Sequence, residues 1–195
     1  MDCACGPLRN HRHDDISDLY AETASSAGAL ARREVFVAKL SGRKEAWLDV
    51  WCYGMHEAPD VLLDITIRHP GAQRYAQKAA EQPGSAAEKA EGEKSDKYPA
   101  AAGRCVWPIA HETWGRLGHH AEAFLQMCAS AATRREFRRG RLPGNNLARW
   151  RAQLDAALHR AVAMQLAVAR SGMPGKKPHR SRRPPNAELE VSCPL

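Results

Sequence analysis

Two aspartates stand in the middle of two β-rich runs, Asp49 in AWLDVWCY (46–53) and Asp64 in VLLDITI (61–67). Aspartate is disfavoured inside strands, so two central ones ask for a reason. A hairpin folded about His56-Glu57 sets them opposite one another. Cβ atoms at such positions lie about 4.5–5.5 Å apart. Like charges that close repel unless a cation stands between them. Mg²⁺ fits hard oxygen ligands, keeps several waters and binds substrate phosphate, and such an ion can activate water against a phosphodiester. Strand alternation predicts Leu48, Val50 and Cys52 with Leu63, Ile65 and Ile67 on one apolar face, leaving Asp49 and Asp64 to look into a cleft. The plainer alternative pairs Asp49 with a nearby Arg or Lys, or leaves both aspartates on a wet sheet face.

Lysine is the second ingredient of such chemistry. The run EKSDKYP offers Lys94 and Lys97 one turn apart with Tyr98 beside them, so all three can share one helix face. An ammonium near an attacking water orients it and steadies developing negative charge. Lysines near a helix C-terminus also simply complement the macrodipole. A third cluster, Arg134, Arg135, Arg138, Arg139 and Arg141 around Phe137, is suited to gripping phosphates. A solvated helix end is its bland counterpart. Glu34 and Glu112 are further acids near the strands, and Trp107 and Trp114 are indoles that either pack or stack on a base.

The elements that position these residues follow from period and punctuation. Residues 14–28 read as a short amphipathic helix. VFVAKL, AWLDVWCY and VLLDITI read as an antiparallel meander. After His69-Pro70 the chain turns helical, breaks at Pro83 and resumes at Ser85, where Ser85 and Glu88 have capping-box spacing, before Pro99 stops it. CVWPIA (105–110) is a fourth strand, and a helix follows Gly118. After the break at 140–146 a last helix carries the stripe Leu147, Trp150, Leu154, Leu158, Val162 and Leu166. The predicted fold class is α/β, a mixed sheet of about four strands flanked by helices, with a C-terminal helical pair.

With 195 residues the chain can bury one sizeable core. Its net charge of +7 is unevenly placed, since residues 134–183 hold fourteen Lys/Arg against Glu136 and Asp155. That segregation points to a polyanionic partner, DNA or RNA. No run approaches a membrane span and no signal peptide is visible, so an intracellular, nuclear location is expected and the six cysteines read as free thiols.

Taken in order, Trp47-Leu-Asp49-Val50, Leu63-Asp64-Ile-Thr66, Lys94-Ser-Asp-Lys97-Tyr98 and Pro108-Ile-Ala-His-Glu112-Thr-Trp-Gly115-Arg-Leu-Gly118 resemble the restriction-endonuclease-like domain of LINE-like non-LTR retrotransposon polyproteins. The likeness spans roughly residues 3–170. It implies a restriction-endonuclease-like sheet and Mg²⁺-dependent nicking of target DNA. Asp49 and Asp64 would be metal ligands, and Lys94 or Lys97 a catalytic lysine moved onto the helix. The lysine usual two residues after the second acid is Thr66 here, and the proline before the first acid is Leu48. Relatives carry Cys/His ligands upstream, so Cys3, Cys5, His11 and His13 would be a truncated zinc-knuckle remnant (1–13). An endonuclease-like core (14–135), a basic helical extension (136–172) and a disordered basic tail (173–195) follow. No Tyr/Phe-x-Asp-Asp polymerase motif is present, so the likeness is to a detached C-terminal piece. The alternative is a catalytically inactive nucleic-acid-binding remnant; a purely structural interaction domain is a third reading.

Overall fold

The structure, a computed structural model, describes residues 6–37, 46–98 and 106–171. Its elements are α1 (Gly6–Ala27), β1 (Leu30–Val37), β2 (Ala46–Tyr53), β3 (Val61–Arg68), α2 (Gln73–Glu81), α3 (Ser85–Ser95), β4 (Val106–Glu112), α4 (His119–Arg138) and α5 (Asn146–Ser171). They form an α/β fold around one four-stranded mixed sheet of order β1-β2-β3-β4. The first three strands are the expected antiparallel meander. β4 runs parallel to β3, and α2 and α3 provide the crossover that a parallel pair requires.

β3 is covered on both faces, and Val61 to Thr66 are all buried. On one face Val50, Leu63, Ile65 and Ile109 pack with Ile16 and Tyr20 of α1, Phe124 of α4, and Leu154 and Leu158 of α5. Each such fully buried side chain contributes about 2 kcal/mol of transfer free energy. The residues read as a C-terminal extension therefore supply part of the main core. On the other face Leu62 and Val106 pack with Tyr98, and Ala110 meets Ala87 and Ala90 of α3, whose small side chains let that helix lie close to the sheet.

The structure departs from the sequence reading in five places, the first being β1, which begins at Leu30 and not at Val35. α1 starts well before residue 14. The Leu147-to-Leu166 stripe of α5 is buried only as far as Leu158, and Leu166 is 43% exposed. The capping box at Ser85 does not form. Gly84, with φ +98°, occupies the cap position, and the amide of Ala86 donates instead to Glu112 Oε1 at 2.9 Å. Finally, Leu48 does not share a face with Val50 and Cys52. It packs with Val35, Val37, Leu62 and Tyr98 on the opposite side of the sheet.

The cause of that last departure is local. The β1–β2 ladder runs from Leu30↔Tyr53 to Arg33↔Val50 and resumes at Val35↔Leu48, skipping the position of Glu34 and Asp49. Glu34 takes φ +57°, a left-handed conformation that costs a non-glycine residue about 1 kcal/mol. The interruption re-aims Asp49, as breaks in a ladder commonly re-aim a side chain.

Candidate active site

Asp64 is a buried polar centre on β3. Its side chain is 8% exposed, and its two oxygens are engaged from the last turn of α3 and from the turn that follows it. Lys94 Nζ donates to Oδ1 and the Tyr98 hydroxyl to Oδ2. The structure thus brings Lys94 and Tyr98, two of the residues singled out from the sequence, together at Asp64. Lys97 takes a different place, exposed, with Nζ 3.5 Å from the Tyr98 hydroxyl and 5.2 Å from its ring centroid. Lys94 is the lysine that reaches the acid.

Asp49 lies one register step beyond Val50↔Leu63, where β2–β3 pairing stops. Its Oδ2 accepts a hydrogen bond from the backbone amide of Ile65 at 2.5 Å, so the carboxylate crosses to β3 at the residue following Asp64. His13 of α1 meets it there. His13 Nε2 is 3.4 Å from Asp49 Oδ2 and 3.2 Å from the Ile65 carbonyl. The hydrogen bond with Asp49 raises the His13 pKa above its usual value, against the opposing effect of burial. The sequence resemblance makes His13 a zinc ligand, and nothing in its sequence neighbourhood signals this contact with Asp49.

Mg²⁺ takes one or two protein carboxylates and keeps much of its water. Asp49 and Asp64 are of that kind, and the Lys94 ammonium already stands as a cation on the buried Asp64. Among the described residues no three His, Cys, Asp or Glu side chains converge. Two carboxylates alone would suit only a largely hydrated ion, which would have to share Asp64 with Lys94 and Tyr98.

The zinc ligands do not come together among the described residues. His11 and His13 are two positions apart on α1, roughly 200° around the helix, with His11 exposed and His13 turned to Asp49. Cys3 and Cys5 lie outside the described residues. Glu112 is buried and caps α3 rather than facing the aspartates. Trp107 is half-buried against the core, whereas Trp114 is 61% exposed and edge-on to His69. Cys52 and Cys128 are free and buried, and burial pushes the Cys52 thiol up to about 12 and raises that of Cys128, so neither is a ready nucleophile.

The arginines gather at the end of α4. Arg134 Nε and Arg138 Nη2 hold the two oxygens of Glu57 at 3.1 and 3.2 Å, and Arg135 donates to the Ser26 carbonyl. Arg139 and Arg141 lie 3.9 and 4.0 Å from Glu136. Three buried polar groups had no signal in the sequence: Glu91, which caps α4, and His111 with its partner Tyr20. Among the described residues, no helix is long and apolar enough to cross a membrane. No protein-family model matches the chain, and no curated protein matches it either.

Proposed function

We propose that this protein is a Mg²⁺-dependent DNA endonuclease of the restriction-like type, nicking target DNA in the nucleus. The observation that carries the reading is Asp64, buried in the middle of β3, with Lys94 and Tyr98 on its two oxygens and the Asp49 carboxylate reaching the next residue of the same strand. Asp49 and Asp64 would hold the ion, which when bound lowers the pKa of its water and offsets charge on the phosphate.

The chain's own groups do the remaining work. Lys94 donates hydrogen bonds that orient the attacking water and stabilise charge on the phosphate oxygens. Tyr98 fixes the second oxygen of Asp64, so that the acid keeps one orientation. Water adds its oxygen to phosphorus, one phosphorus–oxygen bond to the sugar breaks, and the proton ends on the departing oxygen. The arginines of α4 hold the DNA backbone.

Nicking of supercoiled plasmid tests this directly. The wild type should relax plasmid with Mg²⁺ and not with EDTA, and Asp49→Asn and Asp64→Asn should each abolish it. Metal-independent relaxation, or relaxation unaffected by either variant, would sink the reading. A second reading, a binding remnant without catalysis, is favoured by the Lys94 ammonium already neutralising Asp64. It expects salt-sensitive DNA or RNA binding that survives both substitutions and no relaxation.

A further inference from the structure

Beside the last turns of α4 lies a cavity of about 310 Å³, lined by Arg134, Arg135, Arg138 and Arg139 together with Gly28 and Gly54. Arginines at a helix C-terminus complement its dipole, and that explains their presence there. It does not explain why four line one concavity between the α4 end, the α1 end and the β2–β3 turn. Both glycines have positive φ, +101° at Gly28 and +69° at Gly54, so the walls on their side are bare backbone.

Glu57 is the informative neighbour. It sits in the β2–β3 turn with φ +57°, a conformation that asks for glycine. Its two oxygens are shared between Arg134 and Arg138, one helical turn apart, and Arg138 Nη2 also lies 3.2 Å from His56 Nδ1. Two guanidiniums holding two oxygens of one anion is the arrangement by which arginines grip a phosphate.

We propose that this cavity is a discrete phosphate-binding site, held in the free protein by Glu57, whose carboxylate takes the two guanidiniums that a backbone phosphate of the bound strand would occupy. The inference rests on the DNA reading above and adds where the strand is gripped and what it must displace. Gly54, just past the end of β2, is five residues from Asp49, about 16 Å at strand rise. A duplex advances about 3.4 Å per base pair along its axis. A duplex whose axis follows the β2–β3 hairpin would thus place the gripped phosphate about five base pairs from the carboxylates.

The test is fluorescence anisotropy of a labelled 16-base-pair duplex in EDTA, so that no cleavage contributes. Glu57→Gln and Glu57→Gly should each tighten binding by about fivefold. Glu81→Gln, an equal change of charge at an exposed position on α2, should change it by less than about twofold. Arg134→Gln/Arg138→Gln should weaken binding and lower the log–log salt slope by about 1.8.

Glu57 variants that tighten no more than the Glu81 control overturn the inference, whether or not plasmid is nicked. Tightening in EDTA by a protein that nicks nothing supports the site and removes the nuclease. Calorimetry with inorganic phosphate separates the sources. Binding of free phosphate that Glu57→Gln strengthens, with no duplex binding, keeps a phosphate site and discards the DNA strand as its occupant.

Discussion

Glu91, buried in the middle of α3, reaches the first turn of α4 through the opening that Gly118 leaves. Its carboxylate accepts from the amides of His120 (3.2 and 3.1 Å) and Ala121 (3.4 Å) and from Ala110 of β4 (3.3 Å). A Cβ on Gly118 would overlap that carboxylate. Gly118 has φ −75°, which any residue adopts, so the requirement is space and not backbone freedom. Gly118→Ala should therefore destabilise the protein by about 2 kcal/mol or more. Glu91→Ala should cost about 2 kcal/mol by leaving amides of α4 and β4 without an acceptor. Urea unfolding of both variants checks this; a Gly118→Ala midpoint equal to wild type would refute the steric argument.

Asp64 and Lys94 should be coupled in stability as well as in activity. Removing one member of a buried pair leaves the other charge unpaired, so Asp64→Ala should cost about 2–3 kcal/mol. Lys94 is 22% exposed and can partly regain water once Asp64 is gone, so Lys94→Met, which strands the more deeply buried Asp64, should cost more. The double variant should recover at least about 1 kcal/mol relative to the sum of the singles, which a double-mutant cycle by chemical unfolding reads directly. Additive losses would mean that the contact contributes nothing.

How far the sequence disclosed this arrangement depends on the range of each interaction. The strands, the crossover and the four-stranded mixed sheet follow from period and punctuation, which are local. The approach of Lys94 to Asp64 follows from helix geometry once α3 is placed against the sheet, whereas Tyr98 reaches it from the turn beyond the helix. The redirection of Asp49 does not, because it depends on the left-handed turn at Glu34 in the neighbouring strand, at a residue type that rarely adopts it. His13 at Asp49, Glu91 at Gly118 and Glu57 at Arg134 are contacts between elements distant in sequence. Ordinary surface residue types carry them, and no spacing rule marks such pairs.

His13 should make the protein less stable as the pH rises. Its pKa is raised in the fold, chiefly by the hydrogen bond with Asp49, so the folded state holds the proton more tightly than the unfolded chain, where the value is 6.5. The contribution is fully present below 6.5 and is lost as the pH climbs through the raised value. Titrating the His13 ring by NMR in EDTA should give a midpoint above 6.5 that falls in Asp49→Asn. A midpoint that does not move with the substitution would mean that Asp49 is not the cause.

His111 should act with the opposite sign. It is fully buried, its Nε2 lies 2.8 Å from the Tyr20 hydroxyl, and its Nδ1 has no hydrogen-bond partner among the described residues. Protonation would bury a charge and leave an N–H without an acceptor, and burial lowers the pKa to about 3. Burial, then the fields of Glu91 and Cys128, push the Tyr20 phenol well above its usual value, so it cannot supply a compensating anion. With the folded pKa below the unfolded 6.5, stability is complete above 6.5 and is lost as the pH falls toward 3. Within that window the loss is about 1.4 kcal/mol per pH unit from this one group. Between pH 6.5 and 5 most carboxylates stay ionised, so His111 should dominate the slope there. Replacing the pair by Tyr20→Phe/His111→Phe removes both the titrating ring and the hydroxyl that would otherwise be stranded, and the slope of urea-derived stability over that range should flatten. A slope unchanged in the double variant would show that the acid sensitivity arises elsewhere.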